Sequence, residues 1–348
     1  MKPTIAITQG NSAQSGSLAA AALLVCAVSS TAAAHHGTAP RYDFNDPITI
    51  EGEVTSVFWR NPHVRLTLDV VGETGEPEVW DVEAGSMNAL DRIGYGADTI
   101  QPGDRVVLTG GRSRQGLKTM AVVVAALPDG SEVPLWPQRA AALGLSTERA
   151  EIAASVVEAS AERARGIFRV WSRRGAYDRS VTYTREAVTA REQWDVLEDD
   201  PVLDCIPPGM PAMMNNPYPL EFTDEGDEIV LRLEEWDGRR VIHLNGDSDV
   251  DSQPASPTGY SVGVWEGETL VVATSRINYP YHDDRGTPQS EAVVILERFT
   301  ASDDDNRLDY SAVITDPRYL AEPTTIEGYW TWVPGEEIKR YDCTLPTQ

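Results

Sequence analysis

Lysine is nearly missing from this chain. Three of its 29 basic residues are lysines (Lys2, Lys118 and Lys339), set against 54 acidic residues and a formal charge of -25. A surface this negative repels phosphate backbones and anionic headgroups, so nucleic acid is not an expected partner. Long apolar runs are scarce as well. The run from Leu18 to Val28 falls short of the roughly 20 apolar residues that a membrane-spanning helix needs. No later run reaches that length, so an integral membrane protein is not expected. Cysteine is limited to Cys26, Cys205 and Cys343, with no Cys-x-x-Cys pair. There is no phosphate loop, no dinucleotide fingerprint and no nucleophile elbow between a strand and a helix, so no nucleotide cofactor is expected.

What is present begins with an export pattern. Lys2 is the only charge among residues 1–34, the apolar core follows, and small residues lead to Ala32-Ala33-Ala34 before His35-His36-Gly37. Residues 1–34 therefore read as a signal peptide, with the mature chain periplasmic or secreted. Cleavage would remove Cys26 and leave two cysteines in an oxidising compartment. A Cys205–Cys343 disulfide is the expectation.

Residues 35–136 form the first expected domain. Ile48, Ile50, Gly52, Val54 and Ser56 alternate with polar neighbours, as in a half-buried strand. Asn61-Pro62 breaks that strand, and Val64 to Val71 and Glu78 to Val82 supply two more. Ser86 can cap a short helix closed by Gly94 and Gly96. Arg105 to Thr109 and Thr119 to Leu127 complete five strands with a helix between the third and fourth, the order of an OB-like five-stranded barrel. Another small antiparallel barrel is the alternative.

His35-His36-Gly37, the Gly52 strand, Trp59 with Asn61-Pro62-His63, the run Trp80 to Leu90 and Pro102-Gly103-Asp104 carry a resemblance. Together they resemble a family of short exported bacterial proteins of unknown function whose processed chains begin with His-His. That family commonly has Ser where this chain has Gly37, and the resemblance implies no particular activity.

His35, His36 and His63 are the candidate metal ligands, because neutral imidazole suits both copper and zinc. Cleavage before His35 would let its amine and ring chelate one copper ion, with His63 as third nitrogen. Cleavage before Ala34 would instead make His36 the third residue, the spacing of an amino-terminal copper or nickel motif. The plain alternative has His63 as a partly buried strand residue donating to a backbone carbonyl.

Residues 137–165 read as a helical connector, capped by Ser146 or Thr147 and rich in Ala, Glu and Arg. Residues 166–348 read as a larger antiparallel β-barrel or curved sheet of about eight hairpin-linked strands, able to enclose a small ligand; an open sandwich is the runner-up. A short helix is expected within Thr184 to Leu197. This half resembles an uncharacterised exported bacterial domain, through Asp204-Cys205 with Pro208-Gly209-Met210-Pro211, Gly259 to Gly263 with Trp265-Glu266-Gly267, and Glu297-Arg298. Tyr260 stands where that family usually has His. Trp265, His243 and His282 are the candidate ligand-binding residues, Asp283-Asp284 reads as a solvated loop, and Glu297-Arg298 as an ion-pair position.

The functional expectation is an exported periplasmic binding protein for an unidentified small molecule or protein partner, with copper or zinc at its mature amino terminus. A copper-dependent or acid-base enzyme and an envelope scaffolding protein are the alternatives.

Overall fold

The computed structural model describes residues 41–72, 74–173, 178–215, 217–246 and 249–345. The chain is mainly β, in two barrels. The first uses β1 (Tyr42–Phe58), β2 (Arg65–Val71), β3 (Pro77–Glu83), β4 (Arg105–Ser113) and β5 (Thr119–Ala126). Antiparallel pairing runs β3-β2-β1-β4-β5, and a parallel β3–β5 contact closes the ring, with β6 (Glu132–Pro134) added beside β5. Helix α1 (Met87–Asp91) lies between β3 and β4 and is capped by Ser86, which accepts from the Ala89 N–H. This is the OB order expected from the sequence.

The long β1 explains how so few residues close a barrel. Its first part pairs with β4 and its last part with β2, and Gly52 is paired on both sides. A Cβ at Gly52 would stand 2.6 Å from the Asp69 carbonyl oxygen, so only glycine fits at that corner. Alternation fills the interior: Leu66 and Leu68 from β2 and Val106 and Leu108 from β4 are buried beside Val54, Val82 and Met120.

The connector is not one helix. A short α2 (Pro137–Ala142) ends before Gly144, which takes a positive φ of 82°. Helix α3 (Ala154–Arg163) begins later, without a side-chain cap, so Ser146 and Thr147 do not serve as the expected caps. No α3 residue is buried. Ile152, Val156 and Val157 instead rest on Gly335, where a Cβ would come within 2.6 Å of Ile152.

The second barrel closes through nine strands: β7 (Val170–Arg173), β9 (Leu220–Asp224), β10 (Glu228–Leu233), β11 (Gly238–His243), β12 (Tyr260–Glu266), β13 (Thr269–Ser275), β14 (Val294–Ala301), β15 (Arg307–Thr315) and β16 (Thr324–Trp332). A two-residue strand, β8 (Asp178–Arg179), sits beside β16. Every neighbouring pair is antiparallel except β11–β12. Helix α4 (Arg185–Gln193), capped by Thr184, falls where the sequence places a helix.

This barrel's lumen is packed. Trp171, Phe222, Leu231, Leu270, Phe299, Tyr310 and Trp330 fill it, as a barrel of this width allows. Arg240 lies buried among them, ion-paired with Glu297 and bonded to Ser261 and Thr274. Space for a ligand therefore has to be sought outside the lumen. Among the described residues no helix is long and apolar enough to cross a membrane.

Candidate functional site

A cleft of about 150 Å³ opens where the two barrels meet. Its first wall is set by strand register. Arg65 pairs with Glu83, and the ladder continues from the Val64 N–H to the Gly85 carbonyl at 3.0 Å, which brings the Asn61-Pro62-His63 turn against the end of β3. There His63 Nδ1 lies 3.0 Å from the Ala84 carbonyl oxygen. A carbonyl only accepts, so Nδ1 carries the proton and Nε2 of the neutral ring keeps its lone pair. Nε2 is 3.5 Å from Glu83 Oε1, and the ring rests on Trp136 at 5.4 Å between centroids.

Glu83 is almost fully buried, and its two oxygens differ. Oε2 accepts from the Tyr42 hydroxyl at 3.0 Å, while Oε1 is buried with no hydrogen-bond partner among the described residues. Burial opposes charge on this carboxyl, yet the His63 ring in its protonated form, Arg41 and Arg65, with the Tyr42 hydroxyl, outweigh it and hold Glu83 below its ordinary value. Burial and then the Glu83 charge push the Tyr42 hydroxyl well above its usual range, which keeps it a donor. Arg41 guards the rim, with Nη1 3.6 Å from Glu83 Oε2 and a buried Nε that bonds to nothing described.

The second wall comes from the larger barrel and the segment after β16. Tyr218, Trp236 and Tyr341 supply aromatic faces, with Glu235 and Asp200 beside them. The Cys205–Cys343 disulfide fixes this wall, with Cα atoms 5.9 Å apart across 138 residues of sequence. It ties the 3₁₀ turn that carries Asp200 (Pro201–Asp204, capped by Asp200) to the carboxyl-terminal strap. The strap in turn is held by Asp237, which accepts from the Tyr341 and Asp342 N–H groups at 2.9 and 3.0 Å. Asn61 bridges the barrels by donating to the Tyr341 carbonyl at 2.6 Å.

Of the residues proposed from sequence, His63 lines this cleft, while His35 and His36 lie outside the described residues. Trp265, His243 and His282 are not brought together. Trp265 is exposed on β12 against Phe168, His243 pairs with Glu228 at 2.9 Å and stacks on Tyr260 at 4.8 Å, and His282 is buried with Nε2 3.0 Å from Asp316. The solvated loop expected at Asp283-Asp284 is corrected: Asp283 is buried, accepting from Thr287 and ion-paired with Arg191 at 3.0 Å. Glu297 and Arg298 point to opposite faces, Glu297 inward to Arg240 and Arg298 outward to Glu266 at 2.9 Å. Gly259-Tyr260-Ser261-Val262-Gly263 spells a Gly-x-Ser-x-Gly pattern, but Ser261 is buried on β12 and bonded to Arg240 and Thr274 rather than to a histidine. It is not a nucleophile.

Glu83, Arg41 and Asp200 escaped the sequence reading. Glu83 lies inside the Trp80 to Leu90 motif but reads there as an ordinary strand acid, and Asp200 as the last of three acids before a proline. Among the described residues, no group of three or more His, Cys, Asp or Glu side chains is arranged to hold a metal ion.

Residues 21–121 match a family of unknown function, DUF6152. The match spans most of the first barrel and the stretch before it. No curated protein sequence matches the chain.

Proposed function

We propose that this is an exported binding protein whose inter-barrel cleft, with the His-His segment of the mature chain, holds one copper or zinc ion and a small ligand or partner. His63 carries the reading. Its Nδ1–H is anchored on a backbone carbonyl, and its Nε2 faces, at 3.5 Å, a buried carboxylate oxygen that has no hydrogen-bond partner among the described residues. That is how a protein orients an imidazole for a metal and supports it from behind. Around the cleft the three carboxylates of Glu83, Asp200 and Glu235 outnumber the two guanidinium groups of Arg41 and Arg65, which favours a cation.

Polymer geometry supports the missing ligands. Arg41 stands on the rim, and the five residues from it to His36 span up to about 17 Å when extended. His35 with its free amine, or His36, is therefore within reach of His63 Nε2. An oxidised Cys205–Cys343 pair suits the periplasmic or secreted location that the amino-terminal pattern implies. In this reading the second barrel belongs to the exported domain it resembles, and nucleic acid is not a partner.

Titration of the processed protein with Cu(II) and Zn(II) tests this. One ion per chain is expected, with affinity falling at least about tenfold in His63→Ala, as loss of one nitrogen ligand implies. Equal uptake by both proteins would sink the proposal. A copper-dependent enzyme would use the same site, and turnover abolished by His35→Ala would distinguish it from a binder.

A further inference from the structure

Behind Asp200 lies a second cavity of about 40 Å³ that the metal reading does not use. Asp200, Val202 and Trp236 form the partition, since all three also line the larger cleft. Its other walls are Trp194, Tyr279, Tyr281 and Asp284, and none of its described lining residues is cationic. Trp194 and Tyr279 each meet Tyr281 edge to face, at 6.4 and 6.2 Å. The Trp194 wall is fixed by Gly286, which has a positive φ of 68° and where a Cβ would come within 2.2 Å of the indole.

We propose that this cavity is a cage for a small alkylammonium group, held by the Asp200 carboxylate and the faces of Trp194, Trp236, Tyr279 and Tyr281. Three observations point to such a ligand. Asp200 is 7 % exposed, and beyond the Val202 N–H no described donor meets its carboxylate. The Asp284 charge acts on it from across the cavity, while Arg41 acts only from the neighbouring cleft and ranks behind burial and Asp284. Tyr279, 9 % exposed, lines the cavity together with Trp194, Trp236 and Tyr281, and such aromatic faces attract a weakly hydrated cation.

The chemistry favours an organic cation over an inorganic one. Calcium or magnesium requires six or more oxygen ligands, and among the described residues no three carboxylates are grouped to hold a metal ion. An alkylammonium ion spreads its charge over methyl groups, so aromatic faces replace its weak hydration and one carboxylate balances its charge. Asp283 is already neutralised by Arg191 and occupied by Thr287, so it holds the loop in shape.

The cage shares Asp200, Val202 and Trp236 with the metal cleft but can be tested apart from it. Choline and its uncharged isostere 3,3-dimethylbutan-1-ol would be titrated calorimetrically into the full mature chain, both chelator-treated and metal-loaded. Choline is expected to bind at least tenfold more tightly than the alcohol, equally well in both preparations. Asp200→Asn and Trp194→Leu should each weaken choline at least tenfold, with folding verified by unchanged circular dichroism. Comparable binding of the alcohol would reveal a merely apolar hole. Such a result, undiminished binding in Asp200→Asn, or no binding of choline to the parent protein would each overturn the proposal.

Discussion

Asp200 sits at the junction of both cavities and is held at a cost. Burial first, and then the Asp284 charge, push its carboxyl up to about 6. The folded state therefore takes up this proton more readily than the unfolded chain does. The penalty for the charged form is fully present above pH 6 or so and disappears below about pH 4. Asp200→Asn is predicted to stabilise the protein at pH 7.5 by up to about 3 kcal/mol and to change nothing at pH 3.5. Asn caps the Pro201–Asp204 turn as well as Asp does, so the gain is not offset by a lost cap. Urea denaturation at the two pH values measures this, and a loss of stability at pH 7.5 would contradict it. His63 was legible in the sequence as a candidate, because a histidine after Asn-Pro is conspicuous, and it lines the cleft. Asp200 was not, since the three adjacent acids Glu198-Asp199-Asp200 carry no mark of which one turns inward.

At the scale of elements, alternation made most strands legible. The strand expected from Arg105 starts where β4 does, and that expected over Thr119 to Leu127 matches β5 to within one residue. Periodicity failed in the connector, where Ala, Glu and Arg suggest one helix but Gly144 and uncapped turns divide it. It also missed the first part of β1, where Pro47 and polar neighbours hide a strand that pairs irregularly with β4. The disulfide was predictable because only two cysteines lie beyond the signal-like segment, but its purpose emerges from the fold. It clamps the Asp200 turn to the strap that completes the cleft. Breaking it in a Cys205→Ser/Cys343→Ser protein is predicted to cost up to about 5 kcal/mol on the chain-entropy account. Chemical denaturation would show this, and it should also weaken metal uptake because one wall loosens. Undiminished stability and uptake would remove the clamp from the account.

For the whole molecule, the decisive contacts are those that make two barrels act together, and no local pattern foretells them. Glu234 is fully buried at their junction. It is ion-paired with Arg92 of the first barrel and accepts from Asn88 at 3.0 Å and from the Lys339 N–H at 2.9 Å. Glu234→Ala would leave Arg92 with Glu336 as its buried carboxylate partner, at 2.8 Å, so the cost falls below the roughly 3–5 kcal/mol of an uncompensated buried charge. Calorimetry should then resolve one unfolding transition into two, whereas a single unshifted transition would show that the junction contributes little. The cleft exists because this junction holds, and the metal proposal depends on the cleft. Native mass spectrometry of the protein recovered from the cells that express it and from their medium tests that proposal most directly. The predicted species is a chain beginning at His35, with Cys205 and Cys343 oxidised and one copper or zinc ion that is lost in His63→Ala. A metal-free chain that takes up no added ion, or an ion retained in full by His63→Ala, would contradict it.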